Sequence, residues 1–72
     1  MKEQLITFFE RTEHRMDLPN TSREYKKIFV DQCFGAVEFA CQLLNDWEAE
    51  AEIIDLWNNE WRDRLEAKAY NL

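Results

Sequence analysis

A chain of 72 residues with a formal net charge of −6 makes one domain, and a domain this small leaves a large share of its surface in water. Fifteen Asp plus Glu against nine Lys plus Arg argue against binding a nucleic-acid backbone through the overall field. Hydrophobic residues at 46% and aromatics at 14% exceed what an acidic disordered tail carries, so the chain is expected to fold.

One Gly and one Pro give little punctuation, and the alternating β-branched runs that mark strands are missing. The expected fold is all-α: a single helical domain over 1–72, built as a small three-helix bundle (up-down-up) with one short and two long helices. The first helix is expected from about Lys2 to Met16. Leu5, Phe9 with Phe8, Thr12 and Met16 recur at helical spacing, flanked by Ile6 and opposite Glu3, Glu10 and Glu13. Its apolar groups Leu5-Ile6 and Phe8-Phe9 are too short for a signal peptide or a membrane span. It should end at "DLPN", where Pro19 biases Leu18 away from the helical region.

The second helix is expected from "TSRE", with Thr21 as cap and Glu24 completing a capping box, to about Leu44. Its polar residues Glu24, Lys27, Asp31, Glu38, Gln42 and Asn45 form, with Gly35, one narrow strip. Nearly everything else from Tyr25 onward is apolar, which calls for cover on two or more sides. Gly35 costs roughly 1 kcal/mol against Ala in a helix interior, and the expected reason for it is a close helix crossing. Cys33 and Cys41 lie eight residues apart on this helix, roughly 12 Å at about 1.5 Å per residue and too far to bond to each other. They read as reduced core thiols, which suits the cytoplasm.

"NDWE" repeats the capping-box spacing with Asn45 and Glu48 and should separate the second helix from a third that runs to about Ala69. Ile53, Ile54, Leu56, Trp57, Trp61 and Leu65 form its expected apolar stripe. The first helix, at roughly 22 Å against 36 Å for the others, covers its neighbour only from Tyr25 to about Val37. Phe39, Ala40, Leu43, Leu44 and Trp47 then lack cover, so the N-terminus folded over them, a second copy or another protein is expected there. The expected partner-binding surface is Phe39, Leu43, Leu44 and Trp47, with the carboxylates Glu48, Glu52 and Asp55 beside them. A two-fold homodimer through that end would bring the acidic tips together and weaken at low salt.

Charge is unevenly placed. Arg11, Arg15, Arg23, Lys26, Lys27, Arg62, Arg64 and Lys68 are expected at one tip of the bundle. Glu3, Glu38, Asp46, Glu48, Glu50, Glu52 and Asp55 are expected at the other, with only Lys2 against them. Acids at the start and bases at the end of the third helix suit the helix dipole. Arg23, Lys26 and Lys27 at the start of the second do not, which marks them as inter-helix or partner-facing. Lys27 can also pair with Asp31 at helical spacing.

Catalytic chemistry is missing. His14, near the end of the first helix, is the only histidine and reads as a surface residue or a helix-end cation and not as the base of a nucleophile. Glu48, Glu52 and Asp55 share a helix face but lack the Glu-x-x-His partners of metal-binding bundles, and no Gly-rich phosphate loop is present. No enzyme activity, cofactor, metal, small-molecule substrate, membrane or direct nucleic-acid contact is expected. The expected function is that of a small acidic cytoplasmic protein-interaction or regulatory module, self-associating or bound to another protein. The alternative is an acidic decoy of the phage or mobile-element type, whose aligned carboxylates occupy the groove of a nucleic-acid-binding protein.

Overall fold

The computed structural model describes residues 1–70. Three helical stretches account for nearly all of them: α1 (Lys2–Met16), α2 (Arg23–Leu43), and a third in which α3 (Trp47–Leu56), a π-helical turn (Trp57–Trp61) and α4 (Arg62–Tyr70) follow without a break. No strand occurs among the described residues. The Cα atoms fill a body of 39 × 17 × 16 Å, which is one long helix in length and two helices in width.

Leu5, Phe9, Thr12 and Met16, the apolar row of α1, are all buried. Thr12 is tolerated there because its hydroxyl donates to the Phe8 carbonyl at 2.8 Å, leaving no orphaned polar group. The turn to α2 differs from the expected capping box. Thr21 Oγ1 donates back to the Arg15 carbonyl at 2.7 Å and so closes α1. Ser22 is the cap of α2, its hydroxyl accepting from the Tyr25 amide at 3.2 Å. The break before α3 stands where expected, but its cap is Asp46 and not Asn45, the Asp46 carboxylate accepting from the Glu48 amide at 3.0 Å. A carboxylate in that place also suits the positive end of the helix dipole.

In the third helical stretch the core residues Ile53, Trp57, Trp61, Leu65 and Ala69 follow one another at a spacing of four, with Leu56 buried beside Trp57. A step of four overshoots an α-helical turn by about 40°, so four such steps would carry the last residue roughly 160° around the helix and out of the core. The π turn holds one residue more per turn, with the Arg62 amide bonded to the Trp57 carbonyl, and takes about 100° of that drift back. Ile54, expected in the stripe, is instead exposed, about 100° round the helix from Ile53 on the side away from the buried Leu56.

The core is aromatic at its centre. Phe9 is fully buried, with its ring centroid 5.1 Å from Trp57 and 5.6 Å from Trp61. Phe34 of α2 meets Trp57 edge-on at 5.1 Å. The face of α2 turned to this cluster carries Phe29, Val30, Cys33, Val37 and Ala40, all buried. Cover on two or more sides, the expectation for α2, is not found: Tyr25, Ile28, Phe39 and Leu43 remain exposed. α1 and the third stretch both pack on the same side of it.

Gly35 does not stand at a crossing within the chain. It is exposed, and a Cβ added to it would meet nothing within 4 Å. Gly35→Ala is therefore expected to stabilise the folded monomer by about 0.5–1 kcal/mol through lower backbone entropy in the unfolded chain, read as a shift in the urea midpoint at low protein concentration.

Candidate protein interface

At about 100° per residue, Tyr25, Ile28, Gln32, Gly35, Phe39 and Leu43 fall within an arc of about 80° on α2, roughly 130° from the centre of the buried face. All six are exposed. The large side chains among them leave much of their surface in water: Tyr25 59%, Ile28 47%, Phe39 63% and Leu43 57%. Trp47, at the start of α3 just after α2, is 75% exposed. A third face of α2 carries Glu24, Asp31 and Glu38, all exposed. The helix thus has one face for the core, one for water and one apolar face that nothing covers.

Three of the four apolar residues expected at the interface, Phe39, Leu43 and Trp47, are accordingly exposed. Leu44 is not: it is half-buried against the core, and Met1 and Lys2 line a shallow concavity with it and with Ala49 and Ile53. Ala40, also expected to lack cover, is buried. The start of α1 therefore reaches farther along its neighbours than helix length alone suggested. Glu48, Glu52 and Asp55 are exposed on one face of α3. Sequence reasoning missed Tyr25 and Ile28, which α1 was expected to cover. The signal for them was present, because they continue the Phe39–Leu43 row toward the N-terminus in steps of three and four.

Folding consumes much of the basic charge. Arg64 Nη2 donates to Glu13 Oε1 at 2.7 Å while its Nε donates to Oε2, a bidentate pair joining α4 to α1. That bond, with the Glu13 charge, raises the Arg64 pKa. Lys68 binds Asp17 at 2.7 Å, and Arg62 pairs with Glu66 one turn on. Arg15 lies 4.4 Å from the centroid of Phe29 and Lys27 lies 5.3 Å from that of Tyr70. Lys27 therefore stands over an aromatic ring and makes no ion pair with Asp31. Among the described residues none of Glu38, Asp46, Glu48, Glu50, Glu52 or Asp55 is in an ion pair.

Both thiols are free. Burial pushes the Cys33 thiol up to about 11, opposed in part by the neighbouring Thr12 hydroxyl. Cys41 is raised first by burial and then by the nearby Glu50 charge. No group of three or more His, Cys, Asp or Glu able to hold a metal ion occurs among the described residues, and no described helix is long and apolar enough to cross a membrane. No protein-family model, curated protein or solved structure matches the chain.

Two outcomes follow from these placements. Leu43→Gln combined with Trp47→Gln removes mostly exposed apolar surface, so helicity should persist and stability should stay within about 0.5 kcal/mol of the parent, measured by circular dichroism in urea at low protein concentration. Cys33 binds its proton more tightly folded than unfolded, with about 11 against an ordinary 9.0. Its contribution is therefore fully present below pH 9 and is lost as pH rises through 11. The urea midpoint of the parent should fall relative to that of Cys33→Ala across this window.

Proposed function

We propose that this chain is a small acidic protein-interaction module whose binding surface is the open face of α2 from Tyr25 to Leu43, with Trp47 just after it. One observation carries the reading. An amphipathic helix normally buries its only apolar stripe, whereas α2 buries one and leaves a second of similar length in water. Large exposed apolar side chains at both ends of this row, Tyr25 with Ile28 and Phe39 with Leu43, mark a contact site, because their burial is the main source of association energy. Tyr25 in the row and Trp47 just after it are of residue types that dominate interface energetics. The scaffold supplies rigidity, since α2 is held from behind by both of the other helical stretches. Two free thiols, neither placed to bond the other, suit a reducing cytoplasmic setting.

A second reading rests on a separate observation, the acidic end with Glu48, Glu52 and Asp55 exposed and outside any ion pair. Such a row can occupy the basic groove of a nucleic-acid-binding protein as a decoy. Its affinity would fall steeply with added salt, whereas contact through the α2 face would fall little.

A photo-crosslinking residue placed at position 39 tests the main reading, with the same residue at Glu60, exposed on the π turn, as the control. Protein adducts, whether with a second copy or with another chain, are expected from position 39 and not from position 60. Adducts from neither position in the native host would remove the interaction reading. Adducts confined to a probe at Glu52 would favour the decoy.

A further inference from the structure

We infer that the hollow at the turn between α1 and α2 is a binding site for an apolar monocarboxylate carrying one aromatic ring, with Arg15 taking the carboxylate. The site lies beyond the proposed α2 face and shares only Tyr25 with the exposed row along it. Its volume is about 410 Å³, within the range of ligand pockets and enough for a ring with a short acid chain. Leu18, Pro19, Tyr25 and Phe29 give it apolar walls, while Arg15, Asn20 and Thr21 supply its polar groups.

The sequence of the turn holds this hollow in shape. Pro19 fixes its own φ, the Thr21 amide donates to the Leu18 carbonyl at 3.1 Å, and the Thr21 hydroxyl donates to the Arg15 carbonyl at 2.7 Å. Both bonds close on the turn itself, so its backbone is in place before a ligand arrives and little ordering entropy opposes binding. Leu18 and Tyr25, 47% and 59% exposed, leave apolar surface that the ring of a ligand would remove from water.

Arg15 decides the chemistry. Arg62, Arg64 and Lys68 are each in an ion pair, whereas Arg15 is in none among the described residues. Its guanidinium lies over the Phe29 ring, 4.4 Å from the centroid, and the Tyr25 ring stacks on Phe29 at 6.5 Å and 28°. A guanidinium seated by its face keeps its N–H groups free along the edge, in a fork that matches a carboxylate. One unpaired guanidinium in a chain of net charge −6 suits a monoanion, because a phosphate dianion would meet stronger repulsion from the whole molecule with a single cation to offset it. Arg15 is exposed, so water screens the pair and affinity depends on carboxylate and ring acting together.

Titrating the nitrogen-labelled full chain with 3-phenylpropionate at fixed ionic strength, followed through its amide resonances, tests the inference. Saturable shifts centred on Leu18, Asn20, Thr21 and Tyr25 are expected, with a Kd on the order of 1 mM. The uncharged 3-phenylpropionamide should bind about tenfold more weakly. Arg15→Gln should weaken 3-phenylpropionate by about the same factor while helicity persists. Lys2→Gln, an equal loss of charge at the other end of α1, should leave binding unchanged. The amide comparison is made on the wild type, so it stands whatever Arg15→Gln does to the fold. N-acetyl-alanyl-phenylalanine presents the same ring and carboxylate on a peptide end: binding tighter than 3-phenylpropionate supports the site and assigns it to a chain terminus, and weaker binding supports it as a site for a free acid. Absence of saturable shifts at the turn, equal binding of acid and amide, or a loss from Lys2→Gln as large as that from Arg15→Gln would overturn the inference.

Discussion

The structure depends on the seating of one ring, Phe9, between Trp57 and Trp61. α1 is short, and the contact fixes it to the third helical stretch. Trp57 carries the contact on to Phe34 of α2, so a single aromatic cluster joins all three helices. Its energy is of the ordinary kind, area removed from water plus about 0.5–1.5 kcal/mol for each well-placed aromatic pair. It has a local cost, because the Trp57 indole Nε1 is buried without a hydrogen-bond partner. An orphaned donor of this sort costs about 1–3 kcal/mol, which the burial of the indole against Phe9 and Phe34 offsets.

The π turn is what makes that seating possible. Without the extra residue between Trp57 and Arg62, either the tryptophans or the pair Leu65 and Ala69 would rotate away from α1 and α2. The same rotation would carry Arg64 and Lys68 away from Glu13 and Asp17. These surface pairs each contribute little, about 0.2–1 kcal/mol, yet they neutralise the basic tip within the chain. The acidic end receives no such partners, so the field of the molecule is set by one end alone.

The three faces of α2 give the interface reading its physical footing. A chain of this size cannot wrap two helices around every side of a third. The choice made here places both on one side, where the aromatic cluster is densest, and leaves the opposite apolar face in water. In a protein that must also limit its exposed apolar area, an uncovered row with a glycine at its centre is consistent with cover supplied from outside.

Sequence alone determined the all-α class, the extent of α1 and its four buried residues, the breaks near Pro19 and Asn45, and the burial of Trp57 and Trp61. Each follows from local periodicity or from a residue that stops a helix, and needs no knowledge of neighbours. The exposure of Phe39, Leu43 and Trp47 was legible for a partly mistaken reason, the shortness of α1. Tertiary structure decided the rest. Thr21 against Ser22 and Asn45 against Asp46 were settled by which side chain the turn aims at a free amide, a matter of a single residue that spacing does not resolve. Leu44 gained cover from the start of α1, Ile54 fell outside the buried face of α3, and Arg64 and Lys68 found partners on or just after α1. The meaning of Gly35 reversed for the same reason: a small residue on an apolar face signals close approach, and only the packing of α1 and the third stretch shows that nothing in this chain makes that approach.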